Sequence, residues 1–73
     1  MEKVKIFMRD INGRRYMMSM RWWDVSVELS KQVTTGEISE EDEILLVLVD
    51  GACIYSALSD NPITLDELTG FFG

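Results

Sequence analysis

Apolar side chains recur at every second position along residues 4–9 and 14–22, on either side of the segment Asp-Ile-Asn-Gly at residues 10–13. Alternation of this kind is typical of strands that bury one face, and the Asn-Gly pair favours a tight turn. We therefore predict a β-hairpin made of residues 4–9 and 14–22.

The register of this hairpin depends on the length of its turn. A two-residue loop at Asn12 and Gly13 would pair residues whose numbers sum to 25 and would place the two apolar stripes on opposite faces. A three-residue loop, with Asp10 at the first position of a type I turn and Gly13 left-handed, gives pairs that sum to 24. Both stripes then share one face, so we predict this second register.

The other face of the hairpin is predicted to be basic with an apolar centre. It carries Lys3, Lys5, Phe7 and Arg9 on one strand and Arg15, Met17, Ser19 and Arg21 on the other. Two of the four predicted cross-strand pairs bring like charges together, which is unfavourable unless an anion lies between them.

A second hairpin is predicted from the Asp-Gly pair at residues 50–51, with strands at residues 44–49 and 52–58. Residues 44–49 are all apolar, which predicts a central strand covered on both faces. Asp24 as N-cap and Gly36 as the stop predict a helix over residues 24–35. Thr64 and Glu67 form a capping-box pattern that predicts a final helix.

The resulting fold class is α+β, with the order ββαββα: two hairpins form a four-stranded antiparallel sheet, and two helices lie on one of its faces. The length of 73 residues suffices for one small domain, 1–73, built from two ββα-like halves at 1–36 and 37–73. The opposite face of the strand at residues 44–49 then stays bare unless a partner protein or a second copy covers it, as in a homodimer.

Charge is distributed unevenly along the chain. All seven Lys and Arg residues lie in the first 31 positions, and residues 32–73 hold nine acids and no base. The two parts carry formal charges of +3 and −9 within a total of −6. The chain has one Cys, no recognisable secretory signal, and no apolar run near the roughly 20 residues of a membrane span. We expect a cytoplasmic protein without a membrane partner.

The chain lacks several residue types that catalytic sites commonly use. Because it has no His, it lacks the usual proton shuttle and the common nitrogen ligand of zinc. Cys53 is predicted to be buried in a strand and inert. The isolated glycines form no phosphate-binding loop. The acidic patch, Glu40, Glu41, Asp42 and Glu43, lacks the ligand spacing of a calcium loop and is expected to be solvated. We expect no enzyme activity, no cofactor and no metal.

The sequence therefore predicts a small protein-interaction module. Trp22 is expected in the core, and Trp23 either packs against a helix or makes an exposed contact. The predicted partner-binding residues are Lys5, Phe7, Arg9, Arg15, Met17, Arg21 and Trp23. One alternative is an acidic inhibitor that mimics nucleic acid and occupies a nucleic-acid-binding protein of the defence type. Another alternative, which we rank lower, is binding of single-stranded nucleic acid by the basic first hairpin.

Overall fold

The computed structural model describes residues 2–73 and has the predicted order ββαββα. The elements are β1 (Lys3–Arg9), β2 (Arg15–Arg21), α1 (Val25–Thr35), β3 (Glu43–Val49), β4 (Ala52–Ser56) and α2 (Leu65–Phe72). A short 3₁₀ turn, Trp22–Asp24, connects β2 to α1. The predicted α+β class is confirmed. Neither α1 nor α2 is long and apolar enough to cross a membrane.

The four strands form one antiparallel sheet in the order β2-β1-β3-β4. The first strands of the two hairpins, β1 and β3, lie side by side at the centre. The predicted central position of β3 is therefore confirmed. The second strands, β2 and β4, form the two edges of the sheet.

The first hairpin has the predicted register, because its paired residues run from Lys3 with Arg21 to Arg9 with Arg15. The Gly13 N–H donates to the Asp10 carbonyl at 2.9 Å, and Gly13 adopts a positive φ of 85°. Hydrogen bonds from the backbone N–H groups of Arg14 and, more weakly, of Asn12 hold the pKa of Asp10 below its ordinary value. The Asp10 carboxylate and the left-handed Gly13 thus hold the turn that sets the register.

The core lies on one face of the sheet. Its buried apolar residues are Val4, Ile6, Met8, Val25, Leu29, Ile38, Ile44, Val47, Tyr55, Leu65, Leu68 and Phe72. Both helices contribute to this cluster, so both pack on the same face. The side chains that alternate with Val4, Ile6 and Met8 along β1 therefore project from the opposite face, which α1 and α2 leave uncovered.

The ends of the helices only partly follow the prediction. The capping box of α2 is confirmed, since Glu67 N–H donates to the Thr64 hydroxyl at 3.1 Å and Thr64 N–H to the Glu67 carboxylate at 2.9 Å. Gly36 ends α1 in the left-handed conformation, as predicted. Asp24 is different, because its backbone is helical and its side chain makes no cap hydrogen bond. Asp24 is the last residue of the 3₁₀ turn and therefore has a helical backbone, whereas an N-cap side chain normally acts from an extended backbone.

The last strand is shorter and more exposed than predicted. β4 ends at Ser56, and Leu58, predicted to belong to the strand, is 99% exposed. The prediction of a buried Cys53 is wrong, because β4 is an edge strand and Cys53 lies opposite Leu48 on the uncovered face. The Asp60 carboxylate accepts the Ser56 N–H at 2.8 Å, which turns the chain away after Ser56.

Candidate functional site

The strongest candidate site is the face of the sheet that α1 and α2 leave uncovered, called the helix-free face below. The strand registers place there Lys3, Lys5, Phe7, Arg9, Arg15, Met17, Ser19, Arg21, Glu43, Leu46, Leu48, Cys53 and Ser56. It combines the basic face of the first hairpin with one side of the apolar strand β3. Of the predicted partner-binding residues, it includes all but Trp23.

The apolar centre of this face consists of Phe7, Met17, Leu46 and Leu48. Phe7 lies between Met17 on β2 and Leu46 on β3, its direct neighbours in the two registers. Met17 is 47% exposed, and the other three side chains are half-buried. An exposed apolar row across three strands is typical of a surface that another molecule covers.

A basic rim of Lys3, Lys5, Arg15 and Arg21 flanks the apolar centre on the side of β1 and β2. All four side chains are exposed, and none of them forms an ion pair within residues 2–73. The face as a whole has five bases and one acid, a net charge of +4. The remainder of the chain has two bases and twelve acids, a net charge of −10. The charges that are separated along the sequence are thus also separated in space.

An anion lies beside the like-charged pair Arg9 and Arg15 and reduces the repulsion between them. Glu43 is the neighbour of Arg9 on β3, and its carboxylate forms an ion pair with the Arg9 guanidinium. Glu43 was expected in a solvated acidic patch, yet it lies at the start of a strand. Its charge offsets the repulsion between the two arginines.

The acidic patch is divided by the fold. Asp42 accepts a hydrogen bond from the Tyr16 hydroxyl at 2.6 Å, and burial together with this bond raises the pKa of Tyr16. Of the four acids, Glu40 and Glu41 are exposed and their side chains make no hydrogen bond or ion pair within residues 2–73. Since Asp42 and Glu43 both serve contacts within the chain, the four acids do not form one continuous surface.

Trp22 packs against the core as expected, and of the two alternatives for Trp23 the structure shows the exposed one. Trp22 packs on the core with its ring centroid 4.7 Å from that of Phe72, in an edge-to-face arrangement. Trp23 is 58% exposed. The Arg21 guanidinium lies 5.6 Å from the centroid of the Trp23 ring, which is within the range of a cation–π contact. Trp23 therefore lies beside the corner of the helix-free face that Arg21 occupies.

Leu46 and Leu48 belong to the helix-free face but were not among the predicted partner-binding residues. Their only sequence signal is the unbroken apolar run of β3, which does not say which neighbours the strand has. Their place beside Phe7 and Lys5 depends on the pairing of β1 with β3. That pairing joins residues about 40 positions apart, which no local pattern specifies.

Among residues 2–73 no three Cys, Asp or Glu side chains are arranged to hold a metal ion. Comparison of the chain with protein-family models, curated proteins and solved structures gave no match. The features of this chain that bear on its function are therefore the apolar centre and the basic rim of the helix-free face.

Proposed function

We propose that this chain is a non-enzymatic protein-interaction module whose helix-free face binds an acidic surface of a partner protein. The observation that supports this proposal is the apolar centre, which no helix covers and which four bases, unpaired in the part of the chain that the structure describes, flank on β1 and β2. The cores of protein interfaces are apolar and depleted in charge, and their rims are polar. This face has the same arrangement.

The two parts of the face contribute differently to binding. Burial of apolar area stabilises a complex by about 25 cal/mol per Å², and Phe, Met and Arg are enriched at interfaces. Charged residues on a rim mainly accelerate association and select the sign of the partner. We therefore expect affinity to depend on Phe7 and Met17, and the salt dependence of association to follow Arg15 and Arg21.

A second copy of the chain is a poorer match for this face than an acidic partner. Two such faces brought together would each carry a net charge of +4. Like charges in direct opposition destabilise an interface, whereas acidic groups on a partner would pair with the rim. The homodimer through the apolar face is thus less favoured than binding to a different protein.

The nucleic-acid hypotheses also have less support than binding to a protein. Proteins that bind single strands stack successive bases on aromatic rings, and the helix-free face has one such ring, Phe7, which is half-buried. A nucleic acid is negative along its whole length and would extend past this face, where the net charge of −10 repels it, whereas a protein can confine its acids to the contact. An acidic mimic of nucleic acid needs a continuous array of carboxylates, but Asp42 and Glu43 are engaged within the chain.

Affinity capture from a cell lysate tests the proposal when matched variants are used as baits. The test bait carries Phe7→Ala with Arg15→Glu, and the control bait carries Glu40→Gln with Glu41→Gln. We expect the wild type and the control to retain one protein after nuclease treatment, and the test bait to lose it. Loss from the control bait alone would favour the acidic inhibitor. Recovery that depends on nucleic acid would favour the basic hairpin as a nucleic-acid site.

A further inference from the structure

The edge strand β2 presents a row of free backbone groups beside the helix-free face. Hydrogen bonds of 2.8 Å join Asp10 N–H to the Arg14 carbonyl and Trp22 N–H to the Glu2 carbonyl at the two ends of the hairpin. In an antiparallel pair the bonded residues alternate, so Tyr16, Met18 and Met20 bond to β1. The intervening residues, Arg15, Met17, Ser19 and Arg21, direct their N–H and C=O groups away from the sheet.

This edge is open along its length. β2 has seven residues, and its register with β1 is unbroken. No hydrogen bond within residues 2–73 reaches the outward backbone groups of Met17 and Ser19. An edge of this kind is a template for another strand.

The opposite edge, β4, is protected. Its pairing with β3 shifts between Val47 and Leu48, where Ile54 forms a bulge. At the end of β4, Asp60 occupies both backbone groups of Ser56: its carboxylate accepts the Ser56 N–H, and its own N–H donates to the Ser56 carbonyl, each at 2.8 Å. Bulges and occupied backbone groups prevent strand addition. The two edges of the sheet therefore differ in their capacity to accept a strand.

We propose that the partner contributes an extended acidic segment, which adds to β2 as a fifth strand of the sheet. This inference rests on the proposed function and specifies the form of the partner. Main-chain hydrogen bonds between the added strand and Met17 and Ser19 contribute to affinity. The side chains at alternate positions of the added strand determine specificity.

Charge selects the sequence of the added strand. On the helix-free side its side chains would stand in the row of Arg15, Met17, Ser19 and Arg21, where the two arginines favour acids. On the core side they would stand beside Tyr16, Met18 and Met20, which are half-buried, so apolar side chains are favoured there. The β2 strand of a second copy would bring arginine against arginine. The chemistry thus fits a segment that alternates acidic and apolar residues.

The test uses a defined probe, a peptide of seven residues that alternates Glu and Val, matched in length to β2. Ser19→Pro removes an outward N–H without removing a bond to β1, a position at which an edge strand tolerates proline. Ser19→Ala is the matched control. We expect the wild type and Ser19→Ala to bind the peptide equally and Ser19→Pro to bind it at least tenfold more weakly.

Amide hydrogen exchange in the wild type gives a second readout that does not depend on a variant. The amides of Met17 and Ser19 should exchange freely in the isolated protein and become protected when the Glu-Val peptide is bound. Strand addition would be overturned if the Glu-Val peptide did not bind, if Ser19→Pro bound it with unchanged affinity, or if the two amides stayed unprotected. Equal affinity of the wild type for a Lys-Val peptide would overturn it as well. The proposed function itself fails separately, if Phe7→Ala with Arg15→Glu leaves capture of the partner unchanged.

Discussion

Phe7 lies directly opposite Met17 in the pairing of β1 with β2, on the face of the sheet that neither helix covers. Each residue alternates with positions whose side chains face the core, Ile6 and Met8 on one strand and Met18 on the other. One register thus produces two apolar surfaces, one inside the fold and one open to solvent. The second surface is the basis of the binding function proposed for this chain.

The two surfaces should respond differently to loss of an apolar side chain. Met8 is fully buried, so Met8→Ala should lower the free energy of unfolding by about 2–5 kcal/mol. Met17→Ala, on the exposed surface, should change it by at most about 0.5 kcal/mol. Urea denaturation followed by circular dichroism measures both values. Similar losses for the two variants would show that Met17 packs within the core.

The ion pair between Arg9 and Glu43 should make a small contribution that depends on salt. Both side chains are more than 40% exposed, so Glu43→Gln should destabilise the fold by about 0.2–1 kcal/mol at low ionic strength. The effect should shrink as salt is added, because screening weakens both the lost attraction and the remaining repulsion between Arg9 and Arg15. Glu41→Gln is the matched control and should have no effect. A loss that persists in high salt would contradict this interpretation.

Removal of the Tyr16 hydroxyl should weaken the attachment of β2 to the turn before β3. Tyr16→Phe deletes the hydrogen bond to Asp42, which should cost about 0.5–1.5 kcal/mol at neutral pH. Folding raises the pKa of Tyr16 above its ordinary value of 10.0, so the stability linked to the neutral phenol is complete below pH 10 and is lost as the pH rises further. Denaturation in alkaline buffers should therefore show a steeper decline for the wild type than for Tyr16→Phe. Parallel declines would argue against the Tyr16–Asp42 bond.

Asp50 should contribute to unfolding in acid. Its carboxylate accepts the backbone N–H groups of Glu2 and Lys3 at 2.9 and 2.8 Å, which lowers the pKa of Asp50. A carboxyl group whose pKa falls on folding stabilises the fold above its unfolded pKa, here 3.8, and this stability is lost as the pH decreases through the folded value.

Asp50→Asn should therefore flatten the loss of stability below pH 4, while the asparagine still tolerates the positive φ of this position. Acid titration of the unfolding free energy measures the effect. Asp24→Asn serves as the control, since the Asp24 side chain makes no cap hydrogen bond. An acid transition that is the same in Asp50→Asn and the wild type would show that Asp50 does not contribute to unfolding in acid.

The hairpins and the α2 cap were predictable from the sequence because their signals are local. Alternation of apolar residues, Asp10 and Gly13 together fix the first register, and Thr64 with Glu67 fixes the start of α2. In each case the residues that decide the conformation lie within a few positions of one another. The basic residues around Phe7 could be assigned to one face for the same reason.

The strand order was not predictable, and the errors about burial in β3 and β4 follow from it. The unbroken apolar run of β3 predicts that other elements cover both faces of this strand. In the structure Leu46 and Leu48 have β1 and β4 beside them, but no helix covers them on the helix-free face. Cys53 was expected to be buried because its sequence neighbours are apolar, whereas its strand lies at the edge of the sheet. Which strands become edges is decided by packing between distant segments rather than by any pattern within them.

Methyl NMR of the captured complex can show which face of the sheet binds the partner. The methyl signals of Met17, Leu46 and Leu48 report on the helix-free face, and those of Val27 and Leu58, both exposed elsewhere, serve as references. We predict that partner binding shifts the first group and leaves the second unchanged. Shifts confined to Val27 and Leu58, with the helix-free face unaffected, would show that the partner does not bind the helix-free face.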